Sequence, residues 1–197
     1  MKFLGRGPRS LLGHASVTLR QGPASRLPFE MDAPMDDGRI LEMNTVVLQA
    51  AARVESAAQG LYTDLAGHFS FDPHLRRLFL RLAAEEGQHA LHVESLVRHY
   101  PRSLWSKDLV GRYLKILDAM TDEIEANRMA FRESADCRRP GSVLRQLSDM
   151  ETRFNRFHEV ELARSVEPNV NRFFASLALQ DATHRELLQM ARTRMGA

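Results

Sequence analysis

The sequence predicts an all-α protein: a long four-helix bundle whose two helical hairpins are joined by an extra crossover helix. Three observations carry that prediction. Prolines cut the body of the chain into helix-length segments. Apolar residues recur at helical spacing in every segment. The first two segments also resemble the last two. Strand signals are weak, because no Asn-Gly or Asp-Gly turn stands between alternating apolar runs.

Residues 1–38 come first and read as a disordered basic extension. They hold Pro8, Pro23, Pro28 and Pro34 and show no sustained period. Gly13, His14 and Arg20 interrupt the apolar stretches, so no signal-peptide core is present. The segment suits a targeting or docking tail, or a translation start set too early, with Met31 or Met35 as the real one.

Pro73, Pro101, Pro140 and Pro168 divide the rest of the chain into five segments. Proline is poor inside a helix and tolerated in its first turn. Asp72-Pro73 therefore reads as an N-cap and a first turn, and Pro140-Gly141-Ser142 as a break and a new start. The first segment lines up Leu48, Ala52, Glu55, Ala58, Tyr62 and Leu65 on one face. The second has Phe79, Leu82, Glu86, His89, Val93 and Leu96. The third has Leu109, Tyr113, Ile116, Met120, Ile124 and Phe131, and no acid interrupts it. The fourth has Leu144, Leu147, Glu151, Phe154, His158 and Leu162. The fifth has Phe174, Leu177, Asp181, His184, Leu188 and Ala191. Helices of about 25 residues would run about 38 Å each. The hairpins fall at about 41–100 and 141–195, and the uninterrupted third segment, about 105–136, is the crossover between them.

Composition limits the function classes. The 197 residues include 27 Lys and Arg, 25 Asp and Glu, and a single cysteine, Cys137. One cysteine excludes an internal disulfide framework and any four-thiolate metal site. Residues 1–30 carry a net charge of +4, so the remainder is slightly acidic. A nucleic-acid binder needs its basic stripe on the fold, whereas the basic surplus here lies in the leading segment. No apolar run is long enough to span a bilayer. There is no Gly-x-Ser-x-Gly elbow and no phosphate-cradling glycine loop. With one cysteine and no secretory signal, the expected compartment is the cytoplasm.

The repeat is clearest between RLFLRLAAEEGQH at 77–89 and RFFASLALQDATH at 172–184. It pairs Glu86 with Asp181 and His89 with His184. Glu55 precedes His89 by 34 positions, and Glu151 precedes His184 by 33. On all four stripes an acid stands where the period calls for an apolar residue, and on two a histidine follows three residues later on the same face. Burying ionised carboxylates is costly without compensating charge. Two metal ions inside the bundle would supply it, and oxygen ligands with two imidazoles suit iron or manganese. One Glu from each of two helices and a carboxylate-x-x-His from each of the other two is a dimetal arrangement of four-helix bundles. The alternative keeps the bundle and pairs the acids with Arg77, Arg153 or Arg172.

These residues resemble the ferritin-like superfamily, and within it the rubrerythrin-like diiron proteins. The resemblance covers about residues 41–195. It rests on Glu55 with Leu61-Tyr62 after it, LAAEEGQH at 82–89, Glu151, and LALQDATH at 177–184. It implies a carboxylate-bridged pair of iron ions held by Glu55, Glu86, His89, Glu151, Asp181 and His184, with the histidines as terminal ligands. It implies oxidation of the diferrous centre by peroxide or dioxygen, in a peroxidase or ferroxidase role, and a homo-oligomer. Asp181 departs from the usual Glu and is one methylene shorter, so it reaches one iron only, or reaches it through water. No rubredoxin module follows, so electrons would come from an external donor. A metal-free helical scaffold or interaction protein is the alternative function.

Several neighbours remain. Glu85 lies off the apolar stripe, opposite Gln180 in the repeat, and reads as a residue that supports the site or faces solvent. Glu123 and Glu125 read as solvated. Tyr62 and His158 occupy equivalent places seven residues after the lone glutamates, about 10 Å along the helix. They read as a packed tyrosine and a hydrogen-bonded histidine, with ligand orientation or electron transfer as the functional alternative. His92 and His99 read as surface residues, and Trp105 as the anchor of the crossover helix.

Overall fold

The computed structural model describes residues 37–100, 104–133 and 139–196, with side chains from Thr45 onward. The expectation for residues 1–38 falls outside them, except that Asp37 and Gly38 open the first helix. Among the described residues five helices stand in order: α1 (Asp37–His68), α2 (Pro73–His99), α3 (Lys107–Glu133), α4 (Pro140–Val160) and α5 (Pro168–Arg194). A short 3-10 turn, Leu162–Arg164, lies between α4 and α5. Among the described residues there is no strand.

The prolines sit where their chemistry suits them. Pro73, Pro140 and Pro168 each occupy the first turn of a helix, where the missing N–H has no intrahelical partner in any case. Asp72 caps α2, its carboxylate accepting from the backbone N–H of His74 at 2.9 Å and of Leu75 at 3.1 Å. Glu167 does the same for α5 through Asn169.

The helices pair as two antiparallel hairpins, α1 with α2 and α4 with α5, and α2 approaches α5 across the bundle. The crossover α3 runs alongside α1 in the same direction. Arg53 meets Asp118 midway along both helices, and Arg128 and Arg132 close on Asp64 near their C-terminal ends, at 2.9 and 2.7 Å. Its other side reaches α4, through Arg153 with Glu123 and the Tyr113 hydroxyl donating to the Glu161 carbonyl at 2.8 Å. Trp105 is buried just ahead of α3, edge-on to Tyr113 at 5.9 Å and 6.3 Å from Phe174. These contacts place α3 as the crossover of a ferritin-like four-helix bundle.

The apolar stripes meet in one core. Leu48, Leu65, Phe79, Leu82, Leu144, Leu147, Phe174, Leu177 and Leu188 are all essentially inaccessible to solvent. At roughly 25 cal/mol per Å² of apolar area removed from water, this burial is the main stabilising force. The same core holds polar groups, midway along the bundle.

Candidate metal centre

Glu55, Glu86, Glu151, Asp181 and His184 are all 0 % exposed, and His89 is 2 % exposed. All six residues singled out by the sequence therefore lie in the interior. Five of them form two groups of three whose donor atoms stand within 4.8 Å of one another. The first is Glu55, Glu86 and His89. The second is Glu86, Glu151 and His184. Glu86 is common to both. One of its oxygens lies 3.1 Å from His89 Nδ1, the other 3.0 Å from His184 Nδ1. Asp181 belongs to neither group.

The histidines are aimed from outside. Each turns Nδ1 towards the carboxylates and gives its Nε2–H to a residue of the other hairpin. His184 Nε2 donates to Glu85 at 2.8 Å, and His89 Nε2 donates to Gln180. A fixed Nε2–H leaves Nδ1 as the nitrogen that can bind a cation, and outer partners of this kind orient metal-binding imidazoles. The two rings stack with centroids 5.7 Å apart. Glu85 and Gln180 are thus repeat equivalents with equivalent tasks, although one is charged and the other is not.

Tyr62 and His158 support the lone glutamates crosswise. Tyr62 on α1 donates its hydroxyl to Glu151 on α4. His158 on α4 stands 3.2 Å from Glu55 on α1 and donates through Nδ1 to Asp181 at 2.8 Å. Both rings are buried. Distance along its own helix sets His158 apart from Glu151, but α1 and α4 run antiparallel, so it lands beside Glu55. The signal in the sequence was the repeat register itself: seven residues beyond one glutamate is level with the other.

The arginines named as alternative partners go elsewhere. Arg77 contacts His74, Arg153 pairs with Glu123, and Arg172 bonds to Asn169. Among the described residues no Lys or Arg forms an ion pair with the six. Glu125 pairs with Arg128, and Glu123 and Glu125 are both about half exposed, as expected of solvated acids. His92 and His99 face solvent.

Electrostatics shows the strain of this cluster. Burial and the neighbouring Glu55 and Glu151 carboxylates push the Glu86 carboxyl up to about 8, against the pull of His184 and His89. Burial likewise raises Glu151. Burial would raise Glu55 too, but the His158 and His89 imidazoles facing it outweigh that and hold the group well below the carboxylate range. Burial works against charge on the histidines, yet the carboxylates facing them raise His89 and His184 to about 11 and His158 to about 10. Without metal, protons supply the positive charge this cluster needs.

The donor set fits a pair of cations. Both Glu55 oxygens, Glu86 Oε1, Glu151 Oε2, Asp181 Oδ1 and His184 Nδ1 are buried and make no hydrogen bond. Orphaned buried polar atoms are rare in native proteins and call for an explanation. Here they converge on one place and consist of the atoms that bind hard or borderline cations. The rubrerythrin family model matches residues 47–192, most of the chain and all of this cluster. The chain belongs to the rubrerythrin family. Rubrerythrins usually bind iron, and the buried carboxylate and imidazole groups of this rubrerythrin are where such an ion would sit. No curated protein and no solved structure matches it significantly.

Proposed function

We propose that the protein is a diiron-carboxylate redox protein that oxidises a diferrous centre with peroxide or dioxygen. The observation that carries this reading is the pair of buried donor triads sharing Glu86. Glu55, Glu86 and His89 would hold one ion. Glu86, Glu151 and His184 would hold the other, with Asp181 contributing its unbonded oxygen. Two ferrous ions there would supply two electrons, enough to take hydrogen peroxide and two protons to two waters.

The protein's own part is positioning and exclusion. Gln180 and Glu85 keep the histidines turned inward, and Tyr62 and His158 steady the lone glutamates. The surrounding apolar core keeps bulk water from the donor atoms. Reducing equivalents come from a donor outside this bundle, because one cysteine in these residues cannot build a four-thiolate relay. Assembly into a homo-oligomer belongs to the same proposal. Manganese suits the donor set as well.

Protein purified from iron-supplemented cells should hold about two irons per chain. A metal-free chain that remains fully folded would point instead to a helical scaffold. Stopped-flow oxidation by peroxide and by dioxygen separates the two redox roles. Faster reaction with peroxide supports the peroxidase role, and faster reaction with dioxygen the ferroxidase role.

A further inference from the structure

Glu86 and Asp181 hold equivalent places in the repeat, each three residues before its histidine. Glu86 enters both donor triads and Asp181 enters neither. His158 stands against Asp181. Its Nδ1 donates to Asp181 Oδ2 at 2.8 Å, while Nε2 on the far side of the ring stands 3.2 Å from Glu55 Oε1. The ring is 1 % exposed and is stacked on Phe174 with centroids 6.0 Å apart, so its orientation is fixed by packing. Asp181 Oδ1 is buried and makes no hydrogen bond.

The equivalent residue in the first half is Tyr62. A phenol presents one polar atom, and here it serves one carboxylate, Glu151. An imidazole presents two on opposite sides, and His158 uses them on two carboxylates. The substitution of one ring for the other across the repeat therefore changes what the neighbouring bridge position can do. Glu86 faces the two ligand histidines with a separate oxygen for each. A carboxylate that spans two cations through both of its oxygens needs both free, and Asp181 has one already committed.

We propose that His158 is a positioning residue that confines Asp181 to a one-oxygen contact with the metals, leaving Glu86 as the single protein carboxylate shared between them. This rests on the dimetal reading above. It makes the centre asymmetric, with one closed face at Glu86 and a face at Asp181 where no protein carboxylate spans the pair.

Manganese(II) added to the full-length metal-free protein provides the probe. Metal content and the exchange coupling in the electron paramagnetic resonance spectrum are measured in the wild type, His158→Phe and His158→Tyr. The expected result is two manganese ions per chain in all three, with stronger coupling in both variants because the second Asp181 oxygen joins the pair. Unchanged coupling with two ions bound overturns this proposal and leaves the dimetal reading intact. Loss of one ion in both variants also overturns it, since His158 would then be a ligand itself. A wild type that takes up no manganese overturns both readings. A manganese-bound crystal structure of the wild type decides the matter should the variants fail to fold. Asp181 on one ion and on His158 supports the proposal, and Asp181 astride both ions with His158 released overturns it.

Discussion

Glu86 is the residue on which both donor triads depend. Glu86→Ala should therefore abolish uptake of both ions, whereas Glu55→Ala should spare the second triad and leave about one ion per chain, counted by metal analysis. The acids also fix how the metal-free protein responds to pH. His89 and His184 are raised to about 11 and His158 to about 10, so the folded state holds protons that the unfolded chain releases near 6.5. Their stabilisation is complete below 6.5 and is lost as pH rises through 10 to 11. Glu86, raised to about 8, acts with the same sign between 4.5 and 8. Glu55, held low, opposes them only on the acid side, where its contribution is lost as pH falls. Melting temperatures in excess chelator should accordingly fall from pH 6 to pH 10. Metal affinity should rise over the same range, because each ion displaces protons from imidazole. A chelated protein whose melting temperature rises with pH would contradict this ion-pair cluster. The acids themselves were legible in the sequence, because each interrupts an apolar stripe at helical spacing. The partners of Glu85, Gln180 and His158 were not, since each touches a residue of the other hairpin. Their reach depends on how helices pair across the bundle, which no single stripe encodes.

Helices α2 and α5 begin where a proline and a cap agree, and α4 ends for a less local reason. Asp72 satisfies two backbone donors that α2 itself cannot. Asp72→Ala should cost about 1 kcal/mol of stability, read by denaturant unfolding, without changing metal content. The end of α4 shows the opposite case. Pro168 marks the start of α5 correctly, but α4 stops at Val160, well before it. Leu162 continues the apolar stripe in sequence, yet it is buried from a 3-10 turn rather than from the helix. The Tyr113 hydroxyl of α3 takes the Glu161 carbonyl, so a helix-end acceptor is satisfied by a distant element. Periodicity could not reveal that, because the stripe keeps its phase through the turn. The crossover was legible for a different reason: α3 has an amphipathic face with no acid in it, and so had no place among the four helices that build the centre. Its hold on α1 includes Asp64 with Arg128 and Arg132, all partly exposed. Asp64→Ala should cost no more than about 1 kcal/mol, since such pairs are screened by solvent.

At the scale of the whole molecule, the two triads are not equivalent in what they connect. Glu55, Glu86 and His89 all belong to the first hairpin, whereas Glu86, Glu151 and His184 join α2 to α4 and α5. An ion in the second triad is therefore a cross-link between hairpins that otherwise meet through apolar packing and a few polar contacts. Any ion that binds only the folded chain stabilises it by mass action, by about 2.7 kcal/mol per site at one hundred times the dissociation constant. For a bundle of this size that corresponds to a melting temperature roughly 5–10 °C higher per site, and excess chelator should reverse it. Glu151→Ala separates the two contributions. It leaves the first triad whole and removes a donor from the second, so metal should still raise its melting temperature, but by about half the wild-type increment. The hairpins should also part differently. Hydrogen exchange in α4 and α5 should slow on metal addition in the wild type and change little in Glu151→Ala, while α1 and α2 slow in both. Equal protection of all four helices in the variant would mean that the first triad alone ties the bundle together, and that the shared carboxylate transmits nothing across it.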